Sequence, residues 1–238
     1  KNRIAIQGDI LGGAAMGVCN VLCLTGDGVQ AGDHPQAKPV FDLDSTSLLG
    51  IARGLRDEHR FESGRKITFA PRVLLGTAEN PNVSPVEHRA VRLAKKIAAG
   101  AQFVQTQYCY DIPLLRRFMT AVEDAGLLEQ VFILIGVGPL RTAKTGEWMR
   151  KNVPGIHIPD SVIERMKAAK DQTREGLNLC VDLIQEVRTI KGVSGVHVMA
   201  YRQEESVAEV IDRSGILAGR TPWFPGRDPQ INEDRKLS

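Results

Sequence analysis

Cysteine is scarce in this 238-residue chain, with four residues, at 19, 23, 109 and 180. Cys19 and Cys23 form a C-x3-C pair with no second pair behind it. That spacing excludes the usual structural zinc and iron–sulfur arrangements. Three of the four lie in apolar or alternating runs, so the cysteines read as small buried hydrophobes. An excess of one charge sign is also missing. Lys and Arg number 31 against 28 Asp and Glu, a net +3 spread along the chain. So small an excess gives no electrostatic footprint for non-specific nucleic-acid binding. No apolar run reaches the roughly 18 residues of a membrane span. The opening Lys1-Asn2-Arg3-Ile4-Ala5 has no apolar signal core, and the protein reads as cytoplasmic. Of the five histidines, those at 34, 88, 157 and 197 show no H-x-x-x-H or His/carboxylate metal spacing. A P-loop, a nucleophile elbow and a Gly-rich dinucleotide fingerprint are absent as well.

What is present is an ordinary globular composition, 42% hydrophobic and 25% charged, enough for one large domain or two small ones. The elements alternate. Helices are predicted over 3–16, 45–57, 84–99, 113–125, 145–151, 161 onward, 173–190 and 207–213. Asp44 or Ser45 caps the second of these. Ser84-Pro85-Val86-Glu87 has the order of a capping box with Pro at the first helical position. Asp160 is the predicted cap of the helix that follows it. Strands are predicted over about 20–25, 72–77, 102–108, 131–136 and 195–200. They are near-continuous apolar runs, as in parallel sheets covered on both faces.

Alternation of this kind gives a parallel α/β fold. Polar or Gly-containing clusters close each strand, among them Thr25-Gly26-Asp27 and the run from Gln105 to Asp111. Such a rim, without a dinucleotide fingerprint, favours a (β/α)8 TIM barrel over an open doubly wound sheet. Five strands of the eight are found, and the expectation is that three N-terminal strands lie outside this sequence. The domain reading is a partial barrel over 1–220 and a poorly ordered tail over 221–238, rich in Pro, Gly and charge.

Three features carry chemistry. Asp27 ends a strand, where a carboxylate opposes a developing cation or merely caps a turn. Gln105 and Gln107 share one strand face and either bind a planar ligand or form an internal polar layer. Arg89, Arg92 and Lys96 form one helical stripe, with 92 and 96 about 60° and 20° from 89. The stripe either binds a phosphate or is a solvated face. His197, inside a strand, reads as structural.

These residues, taken with their neighbours, resemble a known family. Leu24-Thr25-Gly26-Asp27, Gly32-Asp33-His34-Pro35, and Lys38-Pro39-Val40-Phe41-Asp42-Leu43-Asp44-Ser45 are similar to methylenetetrahydrofolate reductases. So are Thr106-Gln107-Tyr108 with Asp111, Gly136-Val137-Gly138-Pro139-Leu140, Val153-Pro154-Gly155-Ile156 and Gly192-Val193-Ser194-Gly195-Val196-His197. The likeness runs in order over about 1–217, and its flavour is that of one-carbon-specialised bacteria.

The resemblance implies a flavin-containing barrel that reduces 5,10-methylenetetrahydrofolate to 5-methyltetrahydrofolate. The implied cofactor is FAD, with FMN as the alternative. Electrons would come from NAD(P)H or an iron–sulfur redox partner, and the chain would form a homo-oligomer or a heteromer. It implies a catalytic Asp27, which favours the cationic iminium form of the substrate, and a pterin-binding Gln107. It implies flavin contacts at Leu24, Thr25, Gly26, Asp27 and Lys96, and weaker ones at Arg92, Arg89, Phe41, Asp44 and Asn80. Two departures stand out. The Glu-x-x-Pro-Pro segment that carries the family's catalytic Glu is absent, and Asn80 occupies a stretch where the family's usual His is missing. The competing readings are a flavin-free pterin-binding methyltransferase-type barrel and a non-catalytic folate-binding or docking subunit.

Overall fold

Five of the apolar runs form strands, and each is followed by an amphipathic segment that folds back as a helix. A computed structural model describes residues 1–220; the expected tail over 221–238 lies outside the described residues. The order is α1 (Arg3–Ala15), β1 (Asn20–Cys23), α2 (Ser45–Asp57), β2 (Leu74–Glu79), α3 (Val86–Ala99) and β3 (Phe103–Tyr108). It continues with α4 (Ile112–Asp124), β4 (Phe132–Val137), α5 (Ala143–Asn152), α6 (Asp160–Ala168), α7 (Gln172–Val187), β5 (Val193–Val198) and α8 (Val207–Ser214).

The sheet is wholly parallel, and its spatial order β1-β2-β3-β4-β5 is the order of the sequence. A doubly wound sheet reverses its order at a switch point, and none occurs among these strands. One sheet face carries the core. Cys23, Leu75, Val104, Ile133, Ile135 and Val137 are essentially sealed from solvent. On β1 and β2 the core is completed by Leu49, Ala52 and Leu55 of α2. On β3 to β5 it is completed by Leu93, Leu115, Phe118, Ile163, Cys180 and Ile184. On the other face Leu22 is 36% exposed and Phe132 62%, and Leu24 and Leu74 are also open. Sequential parallel strands with helices packed on one face are the architecture of part of a (β/α)8 barrel.

Local chemistry sets the helix starts. Asp44 caps α2, its Oδ1 accepting from the Ser47 N–H at 2.7 Å, while the Ser47 hydroxyl accepts from the Asp44 N–H. Asp111 caps α4 through the Leu114 N–H at 2.9 Å. The capping box expected at Ser84 does not form. Pro85 has extended backbone and is itself the N-cap, so Ser84 falls outside the helix. Asp160 is the first residue of α6 rather than its cap, which is Pro159. Its carboxylate still sits in the first turn, where the helix dipole favours it.

Candidate functional site

The C-terminal ends of the strands open on a groove of about 360 Å³, lined from the open sheet face, from the strand ends and from α3. Leu22 and Leu24 supply its wall on the β1 side. Ala78, Glu79 and Asn80 at the end of β2 follow, then Gln105, Thr106 and Gln107 of β3, and His197 and Met199 at β5. Arg89, Arg92 and Lys96 reach it from α3. The backbone of β3 packs directly on β4 at Gly136. A Cβ there would lie 2.4 Å from the Thr106 carbonyl oxygen and 2.6 Å from that of Gln107.

The basic stripe is a built feature. Lys96 is only 7% exposed. Its Nζ donates to the Ala78 carbonyl at 2.5 Å and to Glu79 Oε2 at 3.1 Å. Glu79 Oε1 accepts from the Asn80 N–H at 3.0 Å and stands 3.8 Å from Arg89 Nη1. Arg89 Nε donates to the Val83 carbonyl. Arg92 is exposed to the groove and makes no side-chain hydrogen bond among the described residues. Three cations against one carboxylate leave this side of the groove positive, which suits a phosphate.

The opposite side suits a planar heterocycle. Gln107 Oε1 accepts from the N–H of Tyr108 at 3.0 Å, which leaves its amide NH2 as the open end. The register of β3 against β4 slips between Gln105 and Tyr108. Such an irregularity re-aims side chains next to a site. Thr106 is held below it, its hydroxyl accepting from the Gly136 N–H at 2.8 Å and donating to the Gln107 carbonyl. Asn80 is part of a clamp. Its Nδ2 donates to the Gly155 carbonyl and its Oδ1 accepts from the Asn82 N–H, both at 3.0 Å. Asn82 Nδ2 in turn reaches the carbonyls of Tyr108 and Gly155.

Of the residues singled out in the sequence, Leu24, Asn80, Arg89, Arg92, Lys96, Gln105 and Gln107 line this one groove. Thr25, Gly26, Asp27, Phe41 and Asp44 do not; they stand between β1 and the start of α2. Thr25 Oγ1 accepts from the Ser45 N–H at 3.0 Å, and Gly26 has a positive φ of 81°. Asp27 is exposed and Phe41 is 84% exposed. The two hydrogen bonds from Ser47 hold the Asp44 carboxyl below the usual range. Glu79, His197 and Met199 were not anticipated. Alternation along β5 puts 195, 197 and 199 on one face, the signal that placed Gln105 and Gln107 together. Glu79 was hidden because the strand was expected to end at 77.

Fold and groove together define a parallel α/β protein of the barrel class, with a cation-lined and amide-edged groove at its strand ends. The chain belongs to the methylenetetrahydrofolate reductase family, whose model matches residues 1–215. It is 25% identical over 222 residues to methylenetetrahydrofolate reductase 2 of Schizosaccharomyces pombe, covering 86% of this chain and 32% of that protein. It is 26% identical to methylenetetrahydrofolate reductase 2 of Saccharomyces cerevisiae over 64% of this chain and 26% of the relative. The chain thus spans about a third or less of the length of these curated relatives. A solved structure of similar fold is an uncharacterized protein from Clostridium thermocellum that binds two copies of 5-methyl-5,6,7,8-tetrahydrofolic acid. Its TM-score is 0.54 at 16% identity, covering 82% of this chain and 70% of that one. No helix among the described residues is long and apolar enough to cross a membrane.

Proposed function

We propose that this chain carries the flavin and folate site of a methylenetetrahydrofolate reductase, reducing 5,10-methylenetetrahydrofolate to 5-methyltetrahydrofolate with electrons from NAD(P)H or a redox partner. The observation that carries the reading is the meeting of Arg92, Lys96 and Gln107 on one groove at the strand ends. Its cationic side favours a phosphate-bearing cofactor, FAD or FMN, over a flavin-free pterin barrel. A bound flavin supplies the hydride chemistry.

The protein's residues bind and orient. Arg92 and the remaining N–H of Lys96 hold phosphate oxygens. Leu22, Leu24 and Met199 offer apolar surface to a ring, and the open NH2 of Gln107 donates to a pteridine acceptor. Asp27, on the rim beyond β1, favours positive charge on the folate. Thr25, Gly26, Phe41 and Asp44 are assigned to the cofactor by family resemblance alone. The full-length protein, purified or reconstituted with FAD, is expected to show the near-ultraviolet and blue bands of bound oxidised flavin. Arg92→Ala is expected to weaken that binding on the order of tenfold, the worth of one charge-assisted hydrogen bond. A protein that neither retains nor rebinds flavin contradicts the proposal.

A further inference from the structure

Glu79 is a carboxylate to which the chemistry above gives no part. Its side chain is 2% exposed, and an anion buried that deeply is unfavourable unless paired. Two hydrogen-bond donors and one further cation meet it. Lys96 Nζ reaches Oε2, the Asn80 N–H reaches Oε1, and Arg89 Nη1 approaches Oε1. With the Ala78 carbonyl taking another Lys96 proton, two of that ammonium's three donors are fixed on β2 and one is left. Arg92, between Arg89 and Lys96 on the same helical stripe, is free of such ties among the described residues. A carboxylate behind a phosphate site weakens it by charge alone, so charge gives no reason for Glu79 to be there. Geometry does, because the carboxylate fastens Lys96 to the end of β2 and keeps the Arg89 charge beside it.

We propose that Glu79 is a positioning residue for the phosphate of the bound cofactor: its two oxygens hold Lys96 and Arg89 so that the last Lys96 N–H and the Arg92 guanidinium face one phosphate together. This rests on the flavin reading above. The test compares FMN with riboflavin, which has the same ring and no phosphate, on the full-length protein. Glu79→Asp keeps the charge but withdraws the carboxylate by one methylene. Glu79→Gln keeps the size but offers one acceptor oxygen to the Asn80 N–H and Lys96, and no charge to Arg89. Each is expected to weaken FMN binding on the order of tenfold, the loss of one charged hydrogen bond, with riboflavin binding unchanged.

Tighter FMN binding in Glu79→Gln shows that the carboxylate merely opposes the phosphate and overturns the proposal. Equal weakening of both ligands, or failure of both variants to fold, places Glu79 in the fold alone and overturns it too. A wild-type protein that binds FMN no tighter than riboflavin removes the phosphate site but leaves the flavin reading standing. One that binds neither FMN, FAD nor riboflavin overturns both.

Discussion

Lys96 and His197 sit in the same groove and show two outcomes of burying a basic side chain. Lys96 brings a carboxylate with it. His197 has no ion-pair or hydrogen-bond partner among the described residues, and burial pushes its pKa below the ordinary value. A histidine so shifted binds fewer protons folded than unfolded once the pH falls below about 6.5. Its contribution to stability is therefore present above the unfolded pKa and is lost as the pH falls through the lowered folded one. We expect urea unfolding to show stability falling between about pH 7 and pH 5, and falling less in His197→Gln. Equal losses in both proteins contradict this. At this scale the sequence was informative where spacing was the signal. The 89, 92, 96 stripe and the 105, 107 pair were both legible. It was silent on Glu79, because pairing partners 17 residues apart leave no periodic trace.

At the scale of elements, strand alternation and helix periodicity carried most of the architecture, since burial on one face imposes them. What stayed hidden was backbone detail. The capping box at Ser84 has the right letters, yet Pro85 adopts extended backbone and moves the helix start by one residue. The register slip in β3 has no composition of its own and arises where Thr106 and Tyr108 meet the glycines of β4 and its loop. Gly136 is the hinge of that arrangement, because the atoms a side chain would strike are mostly backbone oxygens that cannot rotate away. Gly136→Ala is expected to cost about 1–3 kcal/mol, the range for overpacking a filled core. It should also weaken ligand binding by displacing Gln107. Chemical denaturation and a flavin titration check both parts. An unchanged midpoint shows that β3 yields more easily than its contacts imply.

For the whole molecule, five alternations of strand and helix sufficed to foresee the parallel sheet. Sequential strand order and one-sided helix packing then give the barrel class. The chemistry of the groove was legible in part. Its cationic side and its amide edge come from local patterns. Their meeting on one surface depends on how α3 and the ends of β2 and β3 come together, which a linear pattern does not record. Asp27 marks the boundary. It lies four residues past the end of β1, exposed and outside the groove lining, and its role is therefore tested by turnover. Asp27→Asn should slow folate reduction, because the developing cation of the folate loses its opposing charge. Unchanged steady-state turnover contradicts the assignment.

The central claim is that one groove holds both a flavin and a folate. It is tested most directly by titrating the flavin-loaded, full-length protein with 5-methyltetrahydrofolate in the absence of oxygen and following the blue absorption band. Bleaching of that band as the folate is oxidised, abolished or weakened in Gln107→Leu, is the result the account predicts. A band that stays unchanged at saturating 5-methyltetrahydrofolate contradicts it.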